Sequence, residues 1–171
     1  EIGIITSRGC PYSCTFCSVG TTLGKQVRTR PTESVGEELE YWYKSGNRIF
    51  NFLDDNFTYY KERVYEICRE IEKRGLNGLT LRASNGVRAD KLDRDLLIRM
   101  KQVGFKSIGI GVESGNDKIL KTLRKGETID QIENAIKTAC ELDYEVSLFF
   151  VYGTPGETYE DIQDSIRFAR K

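Results

Sequence analysis

Short apolar runs and amphipathic helical patterns alternate along the whole chain. The apolar runs are rich in β-branched and aromatic residues, and each is followed by a polar segment and then by apolar positions three or four residues apart. This alternation is typical of βα units packed around a parallel sheet. It predicts strands at 2–5, 49–53, 79–83, 108–112 and 146–152.

The helical patterns also predict where helices begin and which side chains enter the core. Thr128 with Gln131 three residues later is a capping box, and Thr158 with Asp161 is a related start signal. Apolar residues at helical spacing are core residues by default. They are Val35, Leu39 and Trp42; Val64, Ile67, Cys68 and Ile71; Leu96, Leu97, Met100 and Val103; and Ile132, Ile136 and Cys140.

The number of units limits the architecture. Five βα units are too few for a closed eight-stranded barrel, which leaves an open doubly wound sheet or an incomplete barrel. A length of 171 residues suits a single domain over 1–171, and no linker interrupts the pattern. Because the sequence opens at Glu1 without methionine and stops at Lys171 inside a helical pattern, we expect an excised domain of a longer protein.

Charge and hydropathy narrow the classes of function. The 26 Lys and Arg residues balance 26 Asp and Glu residues. This balance argues against a broad electrostatic surface for nucleic acid, although it is compatible with a local basic patch or a separate binding domain. No apolar run reaches membrane-spanning length, and the first residues do not resemble a signal peptide. We therefore expect a cytoplasmic protein.

Three potential metal ligands, Cys10, Cys14 and Cys17, are close together in a segment that also contains glycine and proline. Thiolates are soft ligands, so three of them spaced C-x3-C-x2-C and able to converge favour an iron–sulfur cluster or zinc. A structural zinc site needs four Cys or His ligands, but the chain has no histidine, and Cys68 and Cys140 are distant in sequence. Three ligands on a four-iron cluster leave one iron open.

Two other readings of the cysteines stay open at this point. Two of the three thiols could form a disulfide, which would leave one thiol spare, although the chain lacks the even cysteine count and small size of a disulfide scaffold. A zinc site could also recruit Cys68 or Cys140 as its fourth ligand. The iron–sulfur cluster is the favoured interpretation.

Polar or glycine-containing segments follow every predicted strand. Ligands of parallel α/β folds collect at the carboxyl ends of strands. Any one of these segments could be an ordinary turn, but five at one rim predict a binding site. They are the cysteine loop, Asp54–Asn56, Ser84 with Asn85, Glu113–Gly115 and Gly153–Glu157.

Several of these segments carry a family resemblance. The cysteine run resembles the C-x3-C-x-aromatic-C signature of the radical S-adenosylmethionine (radical SAM) superfamily, with Phe16 at the aromatic position. The segments 52–57, 109–115 and 153–158 look like the successive motifs of the branch that includes cobalamin-associated enzymes and tRNA methylthiotransferases. The resemblance implies a partial parallel (β/α)6 TIM-like barrel, of which this chain would supply about five units and lack the sixth.

The resemblance also implies roles for particular residues. Cys10, Cys14 and Cys17 would ligate a [4Fe-4S] cluster, whose open iron would bind the amine and carboxylate of S-adenosylmethionine. The other expected cofactor contacts are Phe16 on the adenine side; Asp54 and Asp55 at the ammonium; Glu113 at the ribose; Arg124 and Lys125, on the next helical stretch, at the methionyl carboxylate; Ser84 beside the third strand; and Val151 and Gly153 beneath the adenine. For Glu113, Arg124 and Lys125, a charged side chain in solvent at the end of a strand or helix is the alternative.

The function implied is a radical SAM enzyme that cleaves S-adenosylmethionine reductively to a 5′-deoxyadenosyl radical, which abstracts hydrogen from a substrate. The resemblance also implies a reductant protein such as flavodoxin or ferredoxin, and it leaves room for cobalamin bound by a domain outside this chain and for a nucleic-acid substrate. An iron–sulfur electron-transfer module and a zinc-stabilised binding module are the alternatives. The sequence does not identify the substrate.

Overall fold

A computed structural model describes all of residues 1–171 as seven strands and seven helices. The strands are β1 (Ile2–Ile4), β2 (Ser7–Arg8), β3 (Arg28–Thr29), β4 (Ile49–Phe52), β5 (Thr80–Val87), β6 (Phe105–Glu113) and β7 (Glu145–Phe150). The helices are α1 (Val19–Thr22), α2 (Thr32–Lys44), α3 (Lys61–Lys73), α4 (Arg94–Gln102), α5 (Asp117–Thr122), α6 (Ile129–Glu141) and α7 (Tyr159–Ala169). Both predicted start signals are confirmed as capping boxes, at the beginnings of α6 and α7.

The main sheet has five parallel strands in the order β1-β4-β5-β6-β7. Crossovers between parallel strands are right-handed, so an order that follows the chain without reversal places the connecting helices on one face. A doubly wound sheet reverses its order and has helices on both faces. The sheet is therefore an open section of a barrel-type α/β fold, with β1 and β7 at its edges. This confirms the incomplete barrel and excludes the doubly wound alternative.

A single core joins the sheet to the helices. Alternate strand residues such as Phe50, Phe52 and Ile110 are fully or almost fully buried against the apolar faces of α2, α3, α4 and α6. The predicted core positions on α3 and α4 are confirmed, whereas Trp42 is only partly buried. None of the helices combines the length and the apolar character needed to cross a membrane.

The core prediction for Cys140 is wrong. On α6 the buried positions are Ile132, Ala135 and Ala139, and Cys140 is exposed beside them. The two alanines carry the helical spacing, but their small side chains contribute little to an apolar pattern read from the sequence. Ile136 is only partly buried.

Several strand boundaries also needed correction. The strand β5 continues to Val87 through an irregular register, so Ser84 and Asn85 lie within it and not after it. Glu113 is the last residue of β6, and β7 ends at Phe150. The short antiparallel ribbon of β2 and β3 was not predicted, because strands of two residues have no periodicity to detect. This ribbon flanks the cysteine loop.

Candidate functional site

A cavity of about 280 Å³ lies at the carboxyl ends of the sheet strands. Its lining comes from the cysteine loop, the loop after β4, the end of β5, the end of β6, the turn after α5, and β7. The lining residues are Cys10, Tyr12, Cys14, Phe16, Cys17, Asp55, Asn56, Asn85, Gly86, Val87, Arg88, Gly111, Glu113, Lys125 and Phe149. The structure therefore brings all three run cysteines together with Phe16, Asp55, Glu113 and Lys125, as the sequence predicted.

The backbone of the cysteine loop is held by three hydrogen bonds. The Cys10 N–H donates to the Gly24 carbonyl (3.3 Å), the Cys17 N–H donates to the Cys14 carbonyl (3.2 Å), and the Thr15 N–H donates to the Leu123 carbonyl (2.9 Å). Cys10 and Cys14 are partly buried, Cys17 is exposed, and all three are free thiols. The structure therefore contains no disulfide within the run.

The donor set discriminates between a single metal ion and a cluster. No three His, Cys, Asp or Glu side chains are arranged to hold one metal ion. A mononuclear zinc site requires such convergence, whereas each thiolate of a four-iron cluster binds a different iron. Cys68 is buried on α3 and Cys140 is exposed on α6, so neither lines the cavity as a fourth zinc ligand. The three thiols fit a cluster better than a single zinc ion.

Burial and nearby cations have opposite effects on the pKa values of Cys10 and Cys14. Burial raises the pKa of Cys10 and of Cys14 above the ordinary thiol value. The positive charge of Lys125 is the largest influence that lowers the pKa of Cys14, and Arg88 adds to it. Because a metal binds the thiolate form, these two cations favour metal binding at the loop.

The two neighbouring aspartates after β4 have different surroundings. Asp54 is 2% exposed and accepts hydrogen bonds from the Thr6 N–H, the Thr6 hydroxyl and the Ser7 hydroxyl, each at 2.6 Å. Its carboxylate is thus bound to Thr6 and Ser7 at the beginning of β2, and it does not line the cavity. Asp55 does line the cavity, and one of its oxygens accepts a hydrogen bond from the Gly9 N–H at 2.8 Å.

This difference predicts opposite consequences for the two aspartates. Asp54→Ala is expected to lower the free energy of unfolding by about 3 kcal/mol or more, because three buried donors lose a charged acceptor. Asp55→Ala removes only one such bond and is the matched control, with an expected loss of about 1 kcal/mol. Urea denaturation of both variants measures the difference. Equal losses would contradict the structural role of Asp54.

Asn56 belongs to a segment that the sequence placed at the binding rim, but the sequence assigned it no cofactor contact. It is 5% exposed, and neither its amide nitrogen nor its amide oxygen has a hydrogen-bond partner within the protein. Buried polar groups are normally paired, so an unpaired amide in a cavity wall is positioned to bind a ligand that both donates and accepts hydrogen bonds.

A buried network of charges joins three lining residues, Arg88, Glu113 and Lys125, to Glu127. The Lys125 ammonium lies 2.9 Å from a Glu113 carboxylate oxygen and 3.5 Å from an oxygen of Glu127. The Arg88 guanidinium lies 3.5 Å from the same Glu127 oxygen and 3.7 Å from the centre of the Tyr12 ring in the cysteine loop. Burial raises the pKa of Glu127, and Lys125 opposes this effect. The network links β6 to the cysteine loop.

Glu127 was missed because it follows no strand and lies outside the segments that carry the family resemblance.

The position of Gly111 requires a glycine. A Cβ atom at this position would lie 2.8 Å from the Lys125 ammonium nitrogen and would displace the pair with Glu113. The missing side chain therefore makes room for the ion pair in the cavity wall.

Besides Asp54, four predicted contacts lie outside the cavity lining. Arg124 is exposed, and it lies with Lys125 in the turn after α5, not on a helix as expected. This turn gives Arg124 a positive φ of 52°. Ser84 lies within β5, where its N–H donates to the Asn51 side chain, while Val151 and Gly153 follow β7. The cavity is lined at β7 by Phe149 and at β5 by Asn85–Val87, none of which the sequence assigned to the cofactor.

Comparison with known families and curated proteins gives consistent matches. The family model described as "Radical SAM superfamily" matches residues 4–169. The chain is 36% identical over 169 residues to an uncharacterised methyltransferase of Pyrococcus horikoshii, covering 98% of this chain and 36% of that protein. It is 31% identical over 176 residues to the cytidylyl-2-hydroxyethylphosphonate methyltransferase of Streptomyces wedmorensis, covering 98% of this chain and 32% of that protein. The chain thus spans about a third of the length of these relatives.

Two solved structures have a similar fold. The radical S-adenosylmethionine methyltransferase TsrM from Kitasatospora setae superposes with a TM-score of 0.89 at 20% identity, over 99% of this chain and 34% of that chain. The cobalamin-dependent S-adenosylmethionine radical enzyme OxsB superposes with a TM-score of 0.84 at 23% identity, over 99% of this chain and 26% of that chain. At these identities the likeness establishes a shared fold.

Proposed function

Because the chain belongs to the radical SAM superfamily, we propose that it forms the cofactor-binding core of a radical SAM enzyme. In this proposal Cys10, Cys14 and Cys17 hold a [4Fe-4S] cluster, and S-adenosylmethionine occupies the adjoining cavity. Such a cluster, once reduced, would supply one electron to the sulfonium group of S-adenosylmethionine, whose cleavage would give methionine and a 5′-deoxyadenosyl radical able to remove hydrogen from a substrate.

One observation carries the proposal. The three run cysteines open into the same cavity as a carboxylate, an unpaired amide and a buried Glu–Lys pair. An electron carrier would need only the cysteine loop. A cavity that combines thiols with separate acidic and basic groups suits a ligand that carries an ammonium, a carboxylate and hydroxyl groups.

Different lining residues would bind different groups of such a ligand. Asp55 supplies a carboxylate for the methionyl ammonium, and the amide of Asn56 lies beside it. Lys125 supplies a positive charge for the methionyl carboxylate, and Glu113 accepts hydrogen bonds from the ribose hydroxyls. Phe16 and Phe149 contribute apolar surface that excludes water from the reacting centre.

The proposal also includes residues that do not line the cavity and parts of the enzyme that lie outside this chain. Ser84, Arg124, Val151 and Gly153 stay predictions as cofactor contacts. We propose that residues 1–171 are the core domain of a longer enzyme, that substrate recognition lies largely in its other segments, and that the enzyme takes electrons from a reductant protein. Solved structures of TsrM and OxsB contain bound cobalamin, which supports a cobalamin-binding segment outside this core.

The proposal is tested by electron paramagnetic resonance of the full-length protein, reconstituted anaerobically with iron and sulfide and then reduced. We expect the spectrum of a reduced [4Fe-4S] cluster, and we expect S-adenosylmethionine to change that spectrum because it binds the open iron. Asp55→Ala should require a higher concentration of S-adenosylmethionine for the same change.

The alternatives give different results in this experiment. An electron-transfer module would show a cluster whose spectrum does not respond to S-adenosylmethionine. A zinc-stabilised module would contain zinc without iron or sulfide in elemental analysis. Either result would refute the proposed function.

A further inference from the structure

Positive charge is concentrated in the segment that contains the cysteine loop. Residues 2–32 include Arg8, Lys25, Arg28 and Arg30 but no aspartate or glutamate. Because the whole chain has no net charge, this segment has a net charge of +4 and the rest of the chain has −4. The segment around the cysteine loop is therefore basic in sequence, and the carboxylates of Asp54 and Asp55 contact it at Thr6, Ser7 and Gly9.

Three of these cations are exposed and have no carboxylate partner. Arg30 pairs with Glu38 at 2.6 Å. In contrast, Lys25 donates to the Ser13 hydroxyl, Arg28 donates to the Leu23 carbonyl, and the Arg8 side chain has no hydrogen bond or ion pair. We call Arg8, Lys25 and Arg28 the basic ribbon face.

The arrangement of two of these arginines is unfavourable by itself. Arg8 and Arg28 are directly opposite each other in the antiparallel pair of β2 and β3. Like charges at opposed positions of neighbouring strands destabilise the pair. An acidic surface docked against the ribbon would relieve this repulsion.

The cysteine loop opens on a second side, next to this face. A separate cavity of about 250 Å³ is lined by all three run cysteines together with Ser13 and Lys25, and by α1. The cofactor cavity described above contains Asp55, Glu113 and Phe149, none of which lines this second cavity. The cysteine loop therefore borders a cavity on the side of Lys25 as well as the cofactor cavity.

We propose that the basic ribbon face docks an acidic one-electron donor protein and brings its redox centre to the second cavity. The inference rests on the proposed function, because it requires a cluster on the run thiols. In the transfer the donor loses one electron and the oxidised cluster gains it, with no bond or proton changed. The unpaired cations increase the rate of encounter with an acidic partner and orient it.

The test uses the full-length reconstituted protein and reduced flavodoxin as the acidic donor. The variant Arg8→Glu/Arg28→Glu reverses the face but keeps like charges opposite each other, so the ribbon itself changes little. Its matched control is Lys106→Glu/Arg170→Glu, which reverses two exposed, unpaired cations at the other end of the sheet. Stopped-flow absorbance measures cluster reduction, and a biosensor measures binding of oxidised flavodoxin.

We expect the reversed face to lower the association rate constant with flavodoxin by about tenfold or more, and the control to leave it unchanged. The wild-type rate should fall as ionic strength rises. Photoreduced deazariboflavin, a small neutral donor, should reduce the cluster equally well in the wild type and in both variants.

Three results separate the possible failures. If flavodoxin reduces and binds the reversed variant as fast as the wild type, the docking proposal is overturned while the proposed function stands. If deazariboflavin reduction or the cluster potential also changes in the reversed variant, the cations act on the cluster itself, and the docking proposal is again overturned. If neither donor finds a reducible cluster in the wild type, the proposed function fails first.

Discussion

Cys14→Ala is expected to abolish formation of 5′-deoxyadenosine from S-adenosylmethionine, down to the background of a reaction without protein. Cys14 is one of only three thiols that face the cavity, and no fourth cysteine is near enough to replace it. Because two thiolates do not hold a four-iron cluster against loss to solvent, bound iron and sulfide should fall together with activity. Anaerobic reconstitution followed by iron analysis and chromatography of the nucleoside measures both.

Cys140→Ala is the matched control, because it removes a thiol that is exposed on α6 and lines no part of the site. Its iron content and its product formation should equal those of the wild type. Retention of a complete cluster and of activity by Cys14→Ala, or an equal loss in Cys140→Ala, would remove the basis for assigning the cluster to the run cysteines.

Much of the fold follows from local patterns. The strands and helices of the βα units were predictable because their core-facing side chains repeat at the strand or helix period. The end of β5 was not, since the register with β6 shifts between Ala83 and Val87, and this shift depends on the neighbouring strand. The β2–β3 ribbon depends likewise on contacts between segments about twenty residues apart, which no local pattern reports.

The candidate site also contains some residues that the sequence could predict and some that it could not. Motif spacing and strand ends placed the three cysteines and Glu113 at the carboxyl rim of the sheet, and the family resemblance placed Lys125 there. Sequence reasoning could not choose between Asp54 and Asp55, because the direction of each carboxylate is decided by hydrogen bonds to residues that are distant in sequence.

Two further residues of the site could not be predicted, because their roles also depend on contacts with residues distant in sequence. Phe149 projects into the cavity from a strand whose alternate positions look alike in sequence. Glu127 acquires its partners only when the turn after α5 packs against the segment that contains Arg88. Contacts of this kind between distant segments had no signal in the linear pattern.

Lys125→Met is expected to lower the free energy of unfolding by about 3–5 kcal/mol near pH 8, because it leaves two buried carboxylates without their shared cation. The side chains of Glu113 and Glu127 are 8% and 0% exposed, so water compensates little of the lost charge. Methionine is apolar and close to lysine in length, so little of the loss should come from a cavity left by the substitution. Urea denaturation followed by circular dichroism measures the loss, and Lys121→Met, at an exposed position on α5, should change stability by less than about 0.5 kcal/mol.

The loss should shrink as the pH falls. Burial already raises the pKa of Glu127, and removing Lys125 takes away the charge that opposes this effect, so the pKa rises further in the variant. A folded-state pKa above the unfolded value of about 4.3 means that the native state binds more protons between the two values, so its stability increases as pH decreases through that window. The difference from wild type should therefore be smaller near pH 5.5 than near pH 8, and Lys125→Met/Glu127→Gln should recover part of it at the higher pH. A difference that is constant with pH and unaffected by Glu127→Gln would mean that Lys125 stabilises the fold through packing alone.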